Sequence, residues 1–135
     1  MPNSTQTMAE EIGQVAAAFQ QQRTGIEPKS VHVVLRGDTL VVTLQGALSL
    51  AEQALAQSAE GAAEVQELHR QLFLTAFDRL RAEIRRITGL NVCEAAEVES
   101  AAGAAIQVLA SGTMVQVFQL SGKLPPGDFS SGDKL

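Results

Sequence analysis

Arginine side chains give the clearest candidate for binding chemistry in this sequence. Five of the ten Lys and Arg residues fall in one stretch that is predicted to be a long helix. Positive charge near the C-terminal end of a helix complements the helix dipole, and this structural explanation is favoured. A guanidinium group also presents planar donors that fit a carboxylate or a phosphate. Arg79, Arg85 and Arg86 are therefore the candidate residues for binding a partner or an anion.

Histidine and cysteine residues give weaker candidates for catalysis. His32 falls on a predicted strand and His69 on the long helix. Neither has a carboxylate or a thiol at a spacing typical of a catalytic dyad, so we expect both at the surface or at its boundary. Cys93 has acidic neighbours, which disfavour a reactive thiolate. We expect it to be a small, half-buried residue and not a nucleophile.

An acidic run follows this cysteine, with Glu94, Glu97 and Glu99 close together. Glu97 and Glu99 would share one face of a strand, since side chains alternate at a period of two. A calcium site usually needs six or more oxygen ligands, so a solvated strand edge is the favoured interpretation. The sequence thus predicts no catalytic residues, no metal site and no cofactor. We expect a protein that is not an enzyme.

Composition restricts the class of protein further. The 135 residues suit one domain, and 45% hydrophobic with 19% charged residues is typical of a globular chain. A net charge of -5 and the absence of Trp and Tyr argue against binding nucleic acid. A single cysteine excludes an intrachain disulfide, and the N-terminus shows no secretory signal. We expect a cytoplasmic protein without direct membrane insertion, which reaches a membrane only through a partner.

Local patterns predict an α+β domain. A capping box at Thr7 begins a helix that stops near Gly25, and two strands follow with a hairpin turn at Gly37-Asp38. Ser49 and Glu52 form a second capping box ahead of a short helix, and the long helix ends at Gly89.

The C-terminal third is predicted to complete the sheet. Strands are expected within 91–100 and at 114–120, whereas 101–113 fits either a short helix or an extension of the late hairpin. The predicted order is α-β-β-α-α-β-β, an antiparallel sheet with helices mainly on one face. Residues 1–7 are expected to be a flexible N-terminus, 8–120 the domain, and 121–135 a flexible tail rich in Gly, Pro and Ser.

The ordered part of the chain resembles the MpsC-like family of bacterial proteins, named for a component of a sodium-translocating, membrane-potential-generating system. The resemblance runs from about Met8 to Leu120, and 101–113 looks like an insertion. Its most specific pieces are Gly25-x-x-Pro28, Gly46-x-Leu48-Ser49-x-x-Glu52, Thr88-Gly89 and Phe118-x-Leu120.

The resemblance implies an accessory or regulatory role in membrane ion or inorganic-carbon transport. We expect a non-enzymatic protein that self-associates as a homodimer and docks on a membrane-associated transport complex through the arginines of the long helix. The alternative hypothesis is a sensor domain that binds a small molecule or an anion between the long helix and the sheet.

Overall fold

The computed structural model describes residues 5–93 and 104–132, and these confirm the α+β class. Within these ranges one antiparallel sheet has three strands, with β3 paired to both β1 and β2. The order is α-β-α-α-β-β, so one strand element stands where the sequence predicted two. The elements are α1 (Thr5–Thr24), β1 (Ser30–Gln45), α2 (Leu50–Leu55), α3 (Ala59–Thr88), β2 (Ala104–Val108) and β3 (Met114–Gly132).

β1 is a single element of 16 residues that folds back on itself. Fully extended it would span roughly 50 Å at about 3.3 Å per residue. Its ends nevertheless meet, because the Lys29 N–H donates to the Gln45 carbonyl oxygen over 2.8 Å. The reversal lies at Gly37, whose φ of 63° falls in the left-handed region that glycine adopts without steric cost. The predicted turn at Gly37-Asp38 is therefore present, inside one continuous element.

Burial along β1 follows this reversal. Val31, Val33 and Leu35 are buried before the turn, and Leu40, Val42 and Leu44 are buried after it. The switch from odd to even positions is what a two-residue turn produces, since it places opposite residues of the two limbs on one face. Both limbs of β1 therefore send their apolar side chains into the same core.

β3 corrects the prediction of a flexible tail. Residues 121–132 continue the strand, and the segment from Gly127 to Gly132 pairs with Ser30–Leu35 of β1. Pro125 and Pro126 lie where the register shifts, a place that does not require their missing N–H groups. Pairing with a distant strand has overridden the local preference of a Gly, Pro and Ser-rich sequence. Residues 133–135 lie outside the described part of the chain.

The helices pack on the same face of the sheet. Ala9, Ile12 and Ala16 of α1 belong to one core cluster with Phe73 and Phe77 of α3. Sheet residues complete that cluster: Val33, Val42, Met114 and Phe118 are each at most 1% exposed. The side chains that alternate with them on the sheet are more exposed. The predicted placement of helices on one face is thus confirmed.

Two further boundaries differ from the prediction. α1 begins at Thr5, so Thr5 to Thr7 are helical although the sequence assigned them to a flexible N-terminus. A Cβ placed on Gly127 of β3 would lie 2.6 Å from the Thr5 Cγ2, which shows how closely the start of α1 meets the sheet. In the ambiguous segment the strand alternative is correct, because Ala104–Val108 forms β2. Of the predicted strand at 91–100, Val92 forms a bridge with Leu120 and 94–100 lie outside the described residues.

Gly61 of α3 allows α2 and α3 to lie in close contact. It lies in the first turn of α3, after the N-cap residue Ser58. A Cβ at Gly61 would stand 1.8 Å from the Leu55 carbonyl oxygen at the end of α2. Glycine is required here because the two backbones approach too closely for any side chain.

Gly61→Ala should therefore destabilise the fold. Alanine in place of glycine normally stabilises a helix by about 0.5–1 kcal/mol, whereas overpacking against a backbone costs about 1–3 kcal/mol. We expect a lower free energy of unfolding, measured by urea denaturation. Glu64→Ala, at an exposed position of the same helix, serves as the control. A stabilised Gly61→Ala variant would contradict the close contact.

Candidate docking site on the long helix

Three arginines of α3 line an open surface groove of about 670 Å³. They are Arg81, Arg85 and Arg86, and the other lining residues are Asp78, Ala82, Asn91 and Val92. Four of the lining residues recur at helical spacing. Counted from Asp78, Arg81 lies three, Ala82 four and Arg85 seven residues further along the chain. This spacing aligns them along one face of the helix.

The far wall of the groove is held by the turn after α3. Gly89 ends the helix in the left-handed conformation, with φ of 76°, and its N–H donates to the Arg85 carbonyl oxygen. Asn91 and Ser121 then exchange two hydrogen bonds: the Asn91 N–H donates to the Ser121 Oγ over 3.0 Å and the Ser121 N–H donates to the Asn91 oxygen over 2.8 Å. The groove is therefore built on a helix and a sheet edge that are fixed to each other.

Arg86 and Arg81 already have acidic partners. The Arg86 Nε donates to the Glu83 Oε2 over 2.7 Å, and this hydrogen bond lowers the pKa of Glu83. Its Nη1 also lies 3.9 Å from Glu11 of α1. Arg81 lies 3.2 Å from Asp78 and stacks over the ring of Phe77. These contacts fix both guanidinium groups in place and offset part of their charge.

Arg85 differs from its neighbours. It is exposed, it lines the groove, and among the described residues no carboxylate pairs with it. Arg79 is likewise exposed and unpaired within that part of the chain, but it does not line the groove. The structure thus brings together Arg85 and Arg86 of the predicted set and adds Arg81. The spacing of four residues between Arg81 and Arg85 was the signal in the sequence that could have identified it.

His69 corrects a second prediction. It is 2% exposed, and its Nε2 lies 2.7 Å from the Glu52 Oε2 of α2. The sequence predicted a histidine at the surface or its boundary. This prediction was wrong because Glu52 is 17 residues away and the chain reversal that joins the two residues is not a local signal. His32 is exposed as expected, and its Nδ1 contacts the Ser130 Oγ.

The Glu52 carboxylate joins this histidine to the predicted capping box. Its Oε1 accepts from the Ser49 N–H over 3.0 Å, while the Ser49 Oγ accepts from the Glu52 N–H over 3.1 Å. Burial raises the pKa of Glu52, but the Ser49 backbone and the His69 ring outweigh it, so the pKa is lowered overall. The predicted capping role is confirmed. Glu52 lies between the serine and the histidine, which is not the order of a catalytic triad.

Cys93 and the acidic run that follows it were the other candidates for chemistry in the sequence. Cys93 is half-buried as predicted, and its N–H donates to the Gln119 oxygen over 2.7 Å. Glu94, Glu97 and Glu99 lie outside the described residues. In the described ranges no group of three or more His, Cys, Asp or Glu residues could hold a metal ion. None of the helices in these ranges has the length and apolarity to cross a membrane.

These features define a small α+β domain with an arginine-lined surface groove. Its sequence matches the MpsC family, described as a Na+-translocating membrane potential-generating system, over residues 4–110. The chain belongs to this family. Comparison with curated proteins and with solved structures gave no match. β3 begins after the matched region, although it pairs with both other strands.

Glu52→Gln should remove a pH-dependent part of the stability. The folded-state pKa of Glu52 lies below its ordinary value, so its carboxylate stabilises the fold fully above that ordinary value. This contribution is lost as the pH falls through the lowered pKa. Glutamine can still accept the capping hydrogen bond. We expect the variant to be less stable than the wild type at pH 7, with the difference shrinking below about pH 4.

Urea denaturation over a series of pH values measures this difference. Glu64→Gln removes one carboxylate from the exposed surface of α3 and controls for net charge. An unchanged gap between wild type and Glu52→Gln from neutral to acid pH would show that the carboxylate charge does not act as described.

Proposed function

We propose that this protein is a non-enzymatic accessory or regulatory subunit of a membrane-associated ion-transport complex. The family description supplies the link to a Na+-translocating system. The groove on α3 supplies the mode of action, which is docking on an acidic segment of another protein. The observation that carries the proposal is the exposed Arg85 in that groove, which has no acidic partner among the described residues.

The charge of the chain favours a protein partner. A net charge of -5 opposes binding to nucleic acid or to an anionic bilayer, both of which present extended negative charge. Salt screens exposed charges beyond about 8–10 Å, so a short acidic segment would interact mainly with the nearest guanidinium groups. The apolar side chains of Ala82 and Val92 line the same groove and provide contact area beside the arginines.

Location follows from this mode of binding. A cytoplasmic protein that docks in this way would be peripheral to the membrane, held there by its partner. Self-association as a homodimer remains a prediction. It would double the number of arginine grooves and strengthen binding to a partner with repeated acidic segments.

Arg85→Glu should weaken capture of the transport complex. The reversal breaks no ion pair in the described structure and changes the interaction with the helix dipole by only about 1 kcal/mol, so the protein should still fold. A carboxylate opposite an acidic segment is strongly unfavourable. We expect at least about a tenfold loss of affinity. The measurement is capture by the tagged protein of a Na+-translocating membrane subunit from detergent-solubilised native membranes, with the subunit identified by mass spectrometry.

Arg79→Glu is the matched control. It lies on the same helix, is equally unpaired in the described structure and makes the same change in net charge, but it lies outside the groove. Capture should persist in this variant and should weaken in the wild type as salt is raised. Equal capture by wild type and Arg85→Glu, with both folded by circular dichroism, would refute docking through the groove.

A further inference from the structure

A second site lies inside the domain, between α1, α3 and the sheet. Gln20 of α1, His69 of α3 and Gln116 of β3 line a small cavity there. The exposed Arg23 of α1 also lines it, and the rest of the wall is apolar and includes Phe73 and Leu80. Gln20 is 8% exposed and Gln116 is 4% exposed, so both amide groups are removed from bulk water. Three elements therefore each contribute one buried polar side chain to a mainly hydrophobic core.

The two amides leave complementary atoms unpaired. Within the described part of the chain, neither the Gln20 Nε2 nor the Gln116 Oε1 has a hydrogen-bond partner. The other end of the Gln116 amide is held, because its Nε2 lies 3.9 Å from the Met114 Sδ. One unpaired atom is a donor and the other an acceptor. A buried polar atom without a partner carries its full desolvation penalty, so a partner that both accepts and donates is strongly favoured.

The size of the cavity selects among such partners. Its volume is about 20 Å³. A water molecule needs at least about 10–15 Å³ on this measure and two or more polar partners. One water fits, whereas a metabolite of several heavy atoms does not.

We infer that this cavity is a specific binding site for a single water molecule. The water accepts a hydrogen bond from the Gln20 Nε2 and donates one to the Gln116 Oε1. It thereby connects α1 to β3 through the core, in a cluster that also contains His69. The same size limit applies to the alternative hypothesis of a sensor that binds a small molecule at this position. Phe19 and Leu72 in the wall would have to move before a ligand larger than water could enter.

A crystal structure at a resolution that shows ordered water provides the direct test. The expected result is one water within hydrogen-bond distance of both the Gln20 Nε2 and the Gln116 Oε1. A direct hydrogen bond between the two amides, or a cavity without ordered water, would overturn the inference.

A double-mutant cycle tests the same bridge in solution. Gln20→Met and Gln116→Met replace each amide with an apolar side chain of similar volume. Each single variant leaves the water with one partner fewer, and should raise the equilibrium constant for unfolding by about tenfold. The double variant has no unpaired amide atom for the water to satisfy. It should therefore be no less stable than the less stable of the two single variants. Additive effects of the two substitutions would contradict a shared water, and Gln14→Met on the exposed side of α1 is the control for helix propensity.

Discussion

The reversal of β1 at Gly37 is the constraint on which most of this structure depends. The hydrogen bond from Lys29 to Gln45 holds the two ends of the element together, and the left-handed glycine allows the chain to turn between them. Because both limbs then face the same core, each presents three buried apolar side chains to α1 and α3. β3 pairs along both limbs, from Met114 beside Leu44 to Gly132 beside Ser30. A chain that did not turn at Gly37 could not offer this arrangement to β3 or to the helices.

A second constraint, the junction of α2 and α3, fixes the start of the long helix. The Glu52 carboxylate accepts from the N–H of Ser49, the N-cap residue of its own helix, and contacts His69 about three turns into α3. Gly61 allows the end of α2 to approach α3 at backbone distance. The Glu52 carboxylate and the absence of a side chain at Gly61 thus orient α2. This helix has only six residues and is too short to be stable by itself. α3 is positioned at this end by α2 and at the other by the turn that carries Asn91.

Sequence predicted the parts of this structure whose causes lie within a few residues. The turn at Gly37, the capping box of Ser49 and Glu52 and the left-handed glycine at position 89 each depend on local geometry, and each is present. The strand at 121–132 was missed because its composition is that of a linker and its partner is almost a hundred residues away. The burial of His69 was missed because its partner Glu52 lies 17 residues earlier, across a chain reversal that has no local signal. Gln20 and Gln116 have no pattern in the sequence that marks them as core residues.

The candidate groove shows the same division between local and distant causes. The arginines of α3 were visible as a cluster, and the helix period relates Arg81 to Arg85 directly. Which of them are paired depends on other residues: Glu83 and Asp78 lie one turn away on the helix, but Glu11 comes from α1. A helix dipole alone would favour Arg85 and Arg86, the two arginines of the last turn, about equally. The distinction between a paired Arg86 and an open Arg85 therefore arises largely within the helix, because Glu83 stands three residues before Arg86 and Ala82 three residues before Arg85. Tertiary packing adds Glu11 as a second partner of Arg86, and this difference separates a structural charge from one available to a partner.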